Sequence, residues 1–147
     1  MAPKLIEFYV ATAPFIEAFT LRMSCQILRI IFDLWSLVAN THPMDLPGTH
    51  WVCFKSGSPF IYFDPYGISP PTDIMEVIPK KLYYNTSQIQ DLDSTACGWF
   101  CIALILSDKN KKKPTKMLMD FLGRFTMNTK NNDKKLYLIL KDLGVDV

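Results

Sequence analysis

"STACGWFCIAL", residues 94–104, sets a cysteine and a glycine at the head of an apolar run. The run continues to about Ser107 without a breaker, which predicts a buried helix from Thr95 to about Ser107, with Ser94 or Asp93 placed to cap it. Cys97 then falls in the first turn, and Cys101, four residues on, stacks beneath it on the same face as a core residue. Two readings of Cys97 compete. A buried free cysteine is a small apolar core residue in most proteins. At a helix N-terminus, however, unpaired N–H groups and the positive end of the macrodipole stabilise an anion, which lowers a thiol pKa. Gly98 would let a substrate backbone come close. One cysteine does not choose between these readings, so the choice rests on what else the chain can bring to it.

The 147 residues suit a single domain, and an apolar share of 49% with 20% charged residues is a globular composition. The net charge of +2 excludes little, but "KNKKKPTK" at 109–116 concentrates five lysines in eight residues. Such a run is either a solvated loop or a phosphate-attracting patch. The cysteines Cys25, Cys53, Cys97 and Cys101 lie in apolar segments without metal-like spacing to His42 or His50, which points to free thiols in a reducing compartment and argues against a metal site. The opening residues, with Lys4, Glu7 and Pro14, lack the order of a signal peptide. Charges at Glu7, Glu17, Arg22, Arg29 and Asp33 leave no uncharged stretch near the ~20 residues that span a bilayer. Residues 15–39 read as one or two buried amphipathic helices, with a membrane-surface segment as the alternative.

Beyond Asn40 the signals change. "THPMDLPG" is a loop; "THWVCFKS" (49–56) and "PFIYFDPYG" (59–67) flank Gly57-Ser58 and read as a β-hairpin. "ISPPTD" is a second loop, 74–90 is mixed with an extended end, and 91–94 is a turn. "TKMLMDFLGRF" (115–125) has helical spacing, "NTKNND" (128–133) breaks it, and "KKLYLILKDLG" is a last helix stopping at Gly144. The expected class is α+β: an apolar helical segment over 1–35, then a domain over 36–147.

A nucleophilic cysteine needs a base. His50, opening an aromatic strand in "GTHW", is better placed than His42 in its loop. A three-residue hairpin loop would put Asp64 opposite His50 or one diagonal step away on the same face, whereas a two-residue loop would send it to the far face. The alternative for Asp64 is a turn-initiating aspartate in "DPYG". Gln88 and Gln90 precede the cysteine and alternate on an extended approach, so one of them can face the site and join the Cys97 N–H in an oxyanion hole.

Histidine, acid, glutamine and cysteine in that order, within "PGTHWVCF", "YFDPYG" and "IQDLDSTACGWFC", resemble the adenovirus-type maturation cysteine proteases. Relatives of that family occur in Polinton/Maverick transposons and virophages, and its wider clan includes the proteases of ubiquitin-like modifiers. The resemblance spans roughly residues 36–140; the tail "FLGRFTMNTKNNDKKL" also looks like the transposon-encoded members. It implies a papain-like fold of the adenain group, with a small mixed sheet against the cysteine helix. His50 would be general base and acid, Asp64 its orienting acid, Cys97 the nucleophile and Gln90 the oxyanion donor, since seven residues before the cysteine fits better than Gln88; Trp51 would shield the imidazole. It further implies a monomeric thiol endopeptidase acting inside the cell, in a virion or host nucleus, on extended sites with glycine. No metal or organic cofactor is implied. DNA is a candidate activator through Lys109, Lys111, Lys112 and Lys113. The peptide activation of adenoviral enzymes does not carry over, because no cysteine lies between Cys53 and Cys97. The competing functions are a protease of ubiquitin-like modifiers and an inactive DNA- or protein-binding relic of the fold.

Overall fold

The computed structural model describes residues 27–31, 35–40, 50–55, 57, 59–72, 75, 81–107 and 113–146. Cys25, His42, Lys109, Lys111 and Lys112, and the expected helix over 15–26, lie outside the described residues. Within them the chain is an α+β unit: a five-stranded mixed sheet carrying three helices.

The strands are β1 (Ile27–Ile31), β2 (Trp35–Asn40), β3 (Trp51–Lys55), β4 (Phe60–Phe63) and β5 (Leu82–Tyr84), adjacent in chain order across the sheet. β1 to β4 pair antiparallel, whereas β5 returns parallel to β4, with Phe60 beside Leu82 and Tyr62 beside Tyr84. The first two strands correct the helical expectation for 27–31 and 35–39. "ILRII" and "WSLVAN" pair from Ile27 with Ala39 to Ile31 with Trp35, and β2 then extends onto β3. An apolar run that short does not distinguish helix from strand. Its β-branched residues and a waiting edge on β3 favour the strand. β1 precedes the expected boundary at residue 36, yet it is part of the same sheet.

β3 and β4 form the expected hairpin, and both of their faces are buried. Cys53, Ile61 and Phe63 join the main core, while Phe54 and Tyr62 pair across the strands, ring to ring at 5.0 Å, on the alternate positions.

The helices are α1 (Cys97–Leu106), α2 (Pro114–Leu122) and α3 (Asn132–Asp142). α1 lies at the centre, its Phe100, Cys101, Ala103 and Leu104 inaccessible to solvent. It starts two residues later than expected, with Ala96 at the cap position and no side-chain cap. Ser94 instead closes the preceding turn by accepting the Ala96 N–H at 3.1 Å, the local bond by which serine competes with helix. α2 enters on Pro114, which suits a first helical position. It buries Met117, Leu118 and Phe121. Phe121 meets Phe63 and Phe125 edge-on at 5.7 and 5.2 Å. The helix break expected at 128–133 holds a lead-in and the start of α3: Asn128 accepts from the Lys130 N–H and a short 3-10 turn runs over Thr129–Asn131. α3 ends as expected, with Gly144 at φ +82° and the Val145 N–H reaching the Leu140 carbonyl at 2.9 Å, a left-handed stop that glycine adopts without strain.

Candidate active site

The hairpin register brings the first two groups together. Cys53 opposes Phe63 and Lys55 opposes Ile61, so the connecting loop has the odd length that keeps Asp64 on the His50 side, one diagonal step away. His50 Nε2 and Asp64 Oδ1 are 2.9 Å apart, with side chains 14% and 3% exposed.

Asp64 is held from several sides. It leads the turn Asp64-Pro65-Tyr66-Gly67, in which the Gly67 N–H returns to the Asp64 carbonyl at 2.8 Å and the Tyr66 N–H donates to Oδ1 at 2.8 Å. The turn-initiating and acid roles proposed for Asp64 are thus compatible. Gly67 sits at φ +72°, and a Cβ there would lie 2.7–2.8 Å from the backbone of Thr86 and Ser87, so glycine is required for the turn to seat on that segment. Tyr66 stacks its ring on His50 with centroids 4.9 Å apart and donates its hydroxyl to the Ser94 carbonyl at 3.3 Å.

Buried Asn85, just past β5, was not singled out in the sequence. Its Oδ1 accepts the Asp64 N–H at 3.1 Å and its Nδ2 donates to the Asp64 carbonyl at 2.7 Å. The amide thus continues the β4–β5 pairing one residue beyond the strands. Nothing local marks it, because an asparagine in "YYNTS" reads as loop. Asn85→Ala is expected to leave the Asp64 N–H unpaired, while the Asp64 carbonyl keeps the Gly67 N–H. The cost is about 2 kcal/mol, read as a lower urea midpoint at unchanged slope.

Cys97 opens α1, in the turn where backbone N–H groups point out of the helix end. Its sulfur accepts the Trp51 N–H at 3.4 Å, and one turn deeper Cys101 donates to the Trp51 carbonyl at 3.6 Å. The two thiols therefore fasten the helix to the strand start that carries His50. A Cβ at Gly98 would stand 3.6 Å from the Trp51 indole, an ordinary van der Waals contact.

His50 and Cys97 interact, each shifting the other's protonation, while Nε2 is the ring nitrogen held by Asp64. Burial works against the imidazolium, but the bonds to Asp64 and Cys97 outweigh it and raise His50 from 6.5 to about 9. For Cys97, burial pushes the thiol up, while His50 and the N–H groups of Trp51 and Gly98 pull it down more strongly, leaving it below its ordinary value. These opposite shifts favour the thiolate–imidazolium form of the pair over the neutral one. The other two described thiols go the opposite way through burial: Cys53 rises to about 12 and Cys101 well above the ordinary range. Of the three described thiols, Cys97 alone is held below its ordinary value.

Of the two glutamines, Gln90 is inaccessible to solvent and Gln88 is exposed, donating to the Gln90 carbonyl at 2.9 Å. Gln90 Nε2 donates to the Ser94 carbonyl at 2.9 Å, three residues ahead of Cys97, and Oε1 has no partner among the described residues. Lys113 is exposed at the entry to α2. Among the described residues no group of three metal-ligating side chains converges, and no helix is long and apolar enough to cross a membrane. No protein-family model and no curated protein matches the chain.

Proposed function

We propose that this chain is a thiol endopeptidase of the adenovirus-type maturation protease family, with a papain-like fold, cutting viral or transposon precursor proteins at extended sites containing glycine. The observation that carries it is the Asp64–His50–Cys97 arrangement, with the thiol lowered and the imidazole raised; the order of the four motifs along the chain supports it.

In this mechanism the Cys97 thiolate adds to the scissile carbonyl carbon. The electron pair of the C=O moves to oxygen, where the Cys97 N–H and the second amide hydrogen of Gln90 receive it. The intermediate collapses as His50 Nδ1 gives its proton to the leaving nitrogen, and the C–N bond breaks to leave a thioester. Water then attacks with His50 as base, releasing the acid and restoring the thiol. Asp64 keeps the ring in the required orientation throughout. The lysines at 109, 111, 112 and 113 are the proposed DNA contacts, stimulating cleavage in a salt-dependent manner.

The test is incubation with extended peptides carrying Gly-X-Gly or Gly-Gly, with and without DNA. Products cut beside glycine are expected by mass spectrometry. No cutting, together with Cys97 no faster than Cys101 towards iodoacetamide, overturns the proposal. Cutting only of a ubiquitin-like tail after Gly-Gly reassigns the substrate.

A further inference from the structure

Gln90 sits in a stretch, residues 89–94, that belongs to no strand or helix yet buries Ile89 and Gln90. Such a stretch keeps one conformation only if its polar groups are fixed from outside. On one side the N–H groups of Ile89 and Gln90 both donate to the Pro65 carbonyl at 3.0 Å, next to the acid.

On the other side Thr129 of the lead-in and Asn132 and Asp133 of the first turn of α3 engage it. Asn132 Nδ2 donates to the Ile89 carbonyl at 2.8 Å, the Thr129 hydroxyl donates to Asp91 Oδ1 at 2.7 Å, and the Ser94 hydroxyl donates to Asp133 Oδ1 at 2.9 Å. Asn132 is itself immobilised. It is inaccessible to solvent, accepts from the Thr126 N–H and hydroxyl at 3.0 and 3.1 Å, and donates to the Thr126 carbonyl at 2.8 Å. The bonds bracket Gln90 at its preceding residue, its following residue and the residue that accepts its amide.

We infer that Asn132, Thr129 and Asp133 are positioning residues that set Gln90 against Cys97 for oxyanion stabilisation, without tuning the thiol. The inference rests on the acyl-transfer reading of the site. It accounts for why a polar segment that looked like a helix break is tied to a loop about forty residues away. A tie that served stability alone would have no effect specific to carbonyl chemistry.

Two reagents separate the effects at Cys97. Iodoacetamide reacts by displacement at a saturated carbon: the S–C bond forms as iodide leaves, and no oxyanion develops. With p-nitrophenyl acetate the thiolate adds to the carbonyl, an oxyanion forms, and collapse expels p-nitrophenolate to leave an acetyl thioester. The ratio of acylation to alkylation at Cys97, mapped by mass spectrometry, therefore reads the oxyanion hole.

Gln90→Ala is expected to lower that ratio on the order of 10²-fold. Thr129→Val and Asp133→Ala should each lower it roughly tenfold, with alkylation and its pH dependence unchanged, and Thr129→Ser should restore the native ratio. An unchanged ratio in folded Thr129→Val, beside a reduced one in Gln90→Ala, overturns the positioning role and leaves the protease reading intact. Native chain that alkylates at Cys97 but acylates no faster than a small thiol overturns the acyl-transfer reading, and this inference with it. Thr129→Val removes one hydroxyl at constant shape, so it carries the test even where Asp133→Ala loses too much stability.

Discussion

Cys97→Ala is expected to abolish peptide cleavage, a loss on the order of 10⁴-fold or more, while the variant unfolds cooperatively near the native midpoint. The sulfur meets the Trp51 N–H at a long 3.4 Å and interacts with His50 and the Gly98 N–H, contacts whose loss costs about 1 kcal/mol. Cys101→Ala should behave in the opposite way. Its thiol is inaccessible to solvent, in the packed centre of α1 beside β3, and donates to the Trp51 carbonyl. Truncation there is expected to cost about 1–2 kcal/mol through lost packing and an unpaired partner, with cleavage retained at temperatures where the chain stays folded. Peptide cleavage and urea denaturation of the two variants provide the comparison. Loss of cleavage in Cys101→Ala with full activity in Cys97→Ala would exchange the two roles.

His50→Ala should lower cleavage on the order of 10³-fold, with a diagnostic change in pH dependence. In the native chain alkylation of Cys97 rises with pH through a value below that of an ordinary thiol, since the reactive form is the thiolate. Cleavage also requires the His50 proton for the leaving nitrogen, so it should fall again as pH passes about 9. Removing His50 takes away the bond and the positive charge that hold the thiol down. The alkylation curve should then move to higher pH, and the alkaline limb of cleavage set by the imidazolium should vanish. The stability effect has a matching sign. A raised imidazole contributes stability that is fully present below its unfolded value near 6.5 and is lost as pH rises through about 9. Native and His50→Ala chains should therefore differ most in stability below pH 6 and converge above pH 9, allowing for the coupled thiol. An alkylation profile that is the same in both chains would remove His50 from the site.

Much of the arrangement is legible in residue order because it depends on local rules. Alternation and β-branched content mark the β3–β4 hairpin. Gly144 marks the end of α3, and the apolar run after Cys97 marks the central helix. The hairpin loop length decides whether Asp64 can reach His50, and the sequence reading confined the answer to one parity. Gln90 is buried and Gln88 exposed, a difference that residue order left open and only the family resemblance anticipated.

What the sequence could not supply depends on partners distant along the chain. β1 and β2 are strands because they have β3 to pair with, and an apolar segment read alone looks equally helical. Asn85 becomes informative only once β5 lies parallel to β4 and carries its amide to the backbone of Asp64. The "NTKNND" segment reads as a helix break until α3 packs and turns Thr129, Asn132 and Asp133 towards residues 89–94. By itself, then, the sequence determined the α+β class, the three helices after residue 94 and the four candidate groups, because periodicity, turn chemistry and hairpin register are short-range. Only the tertiary structure decided which groups meet and how the thiol and imidazole shift, because hydrogen bonds and desolvation act through space between residues whose separation along the chain carries no record of their contact.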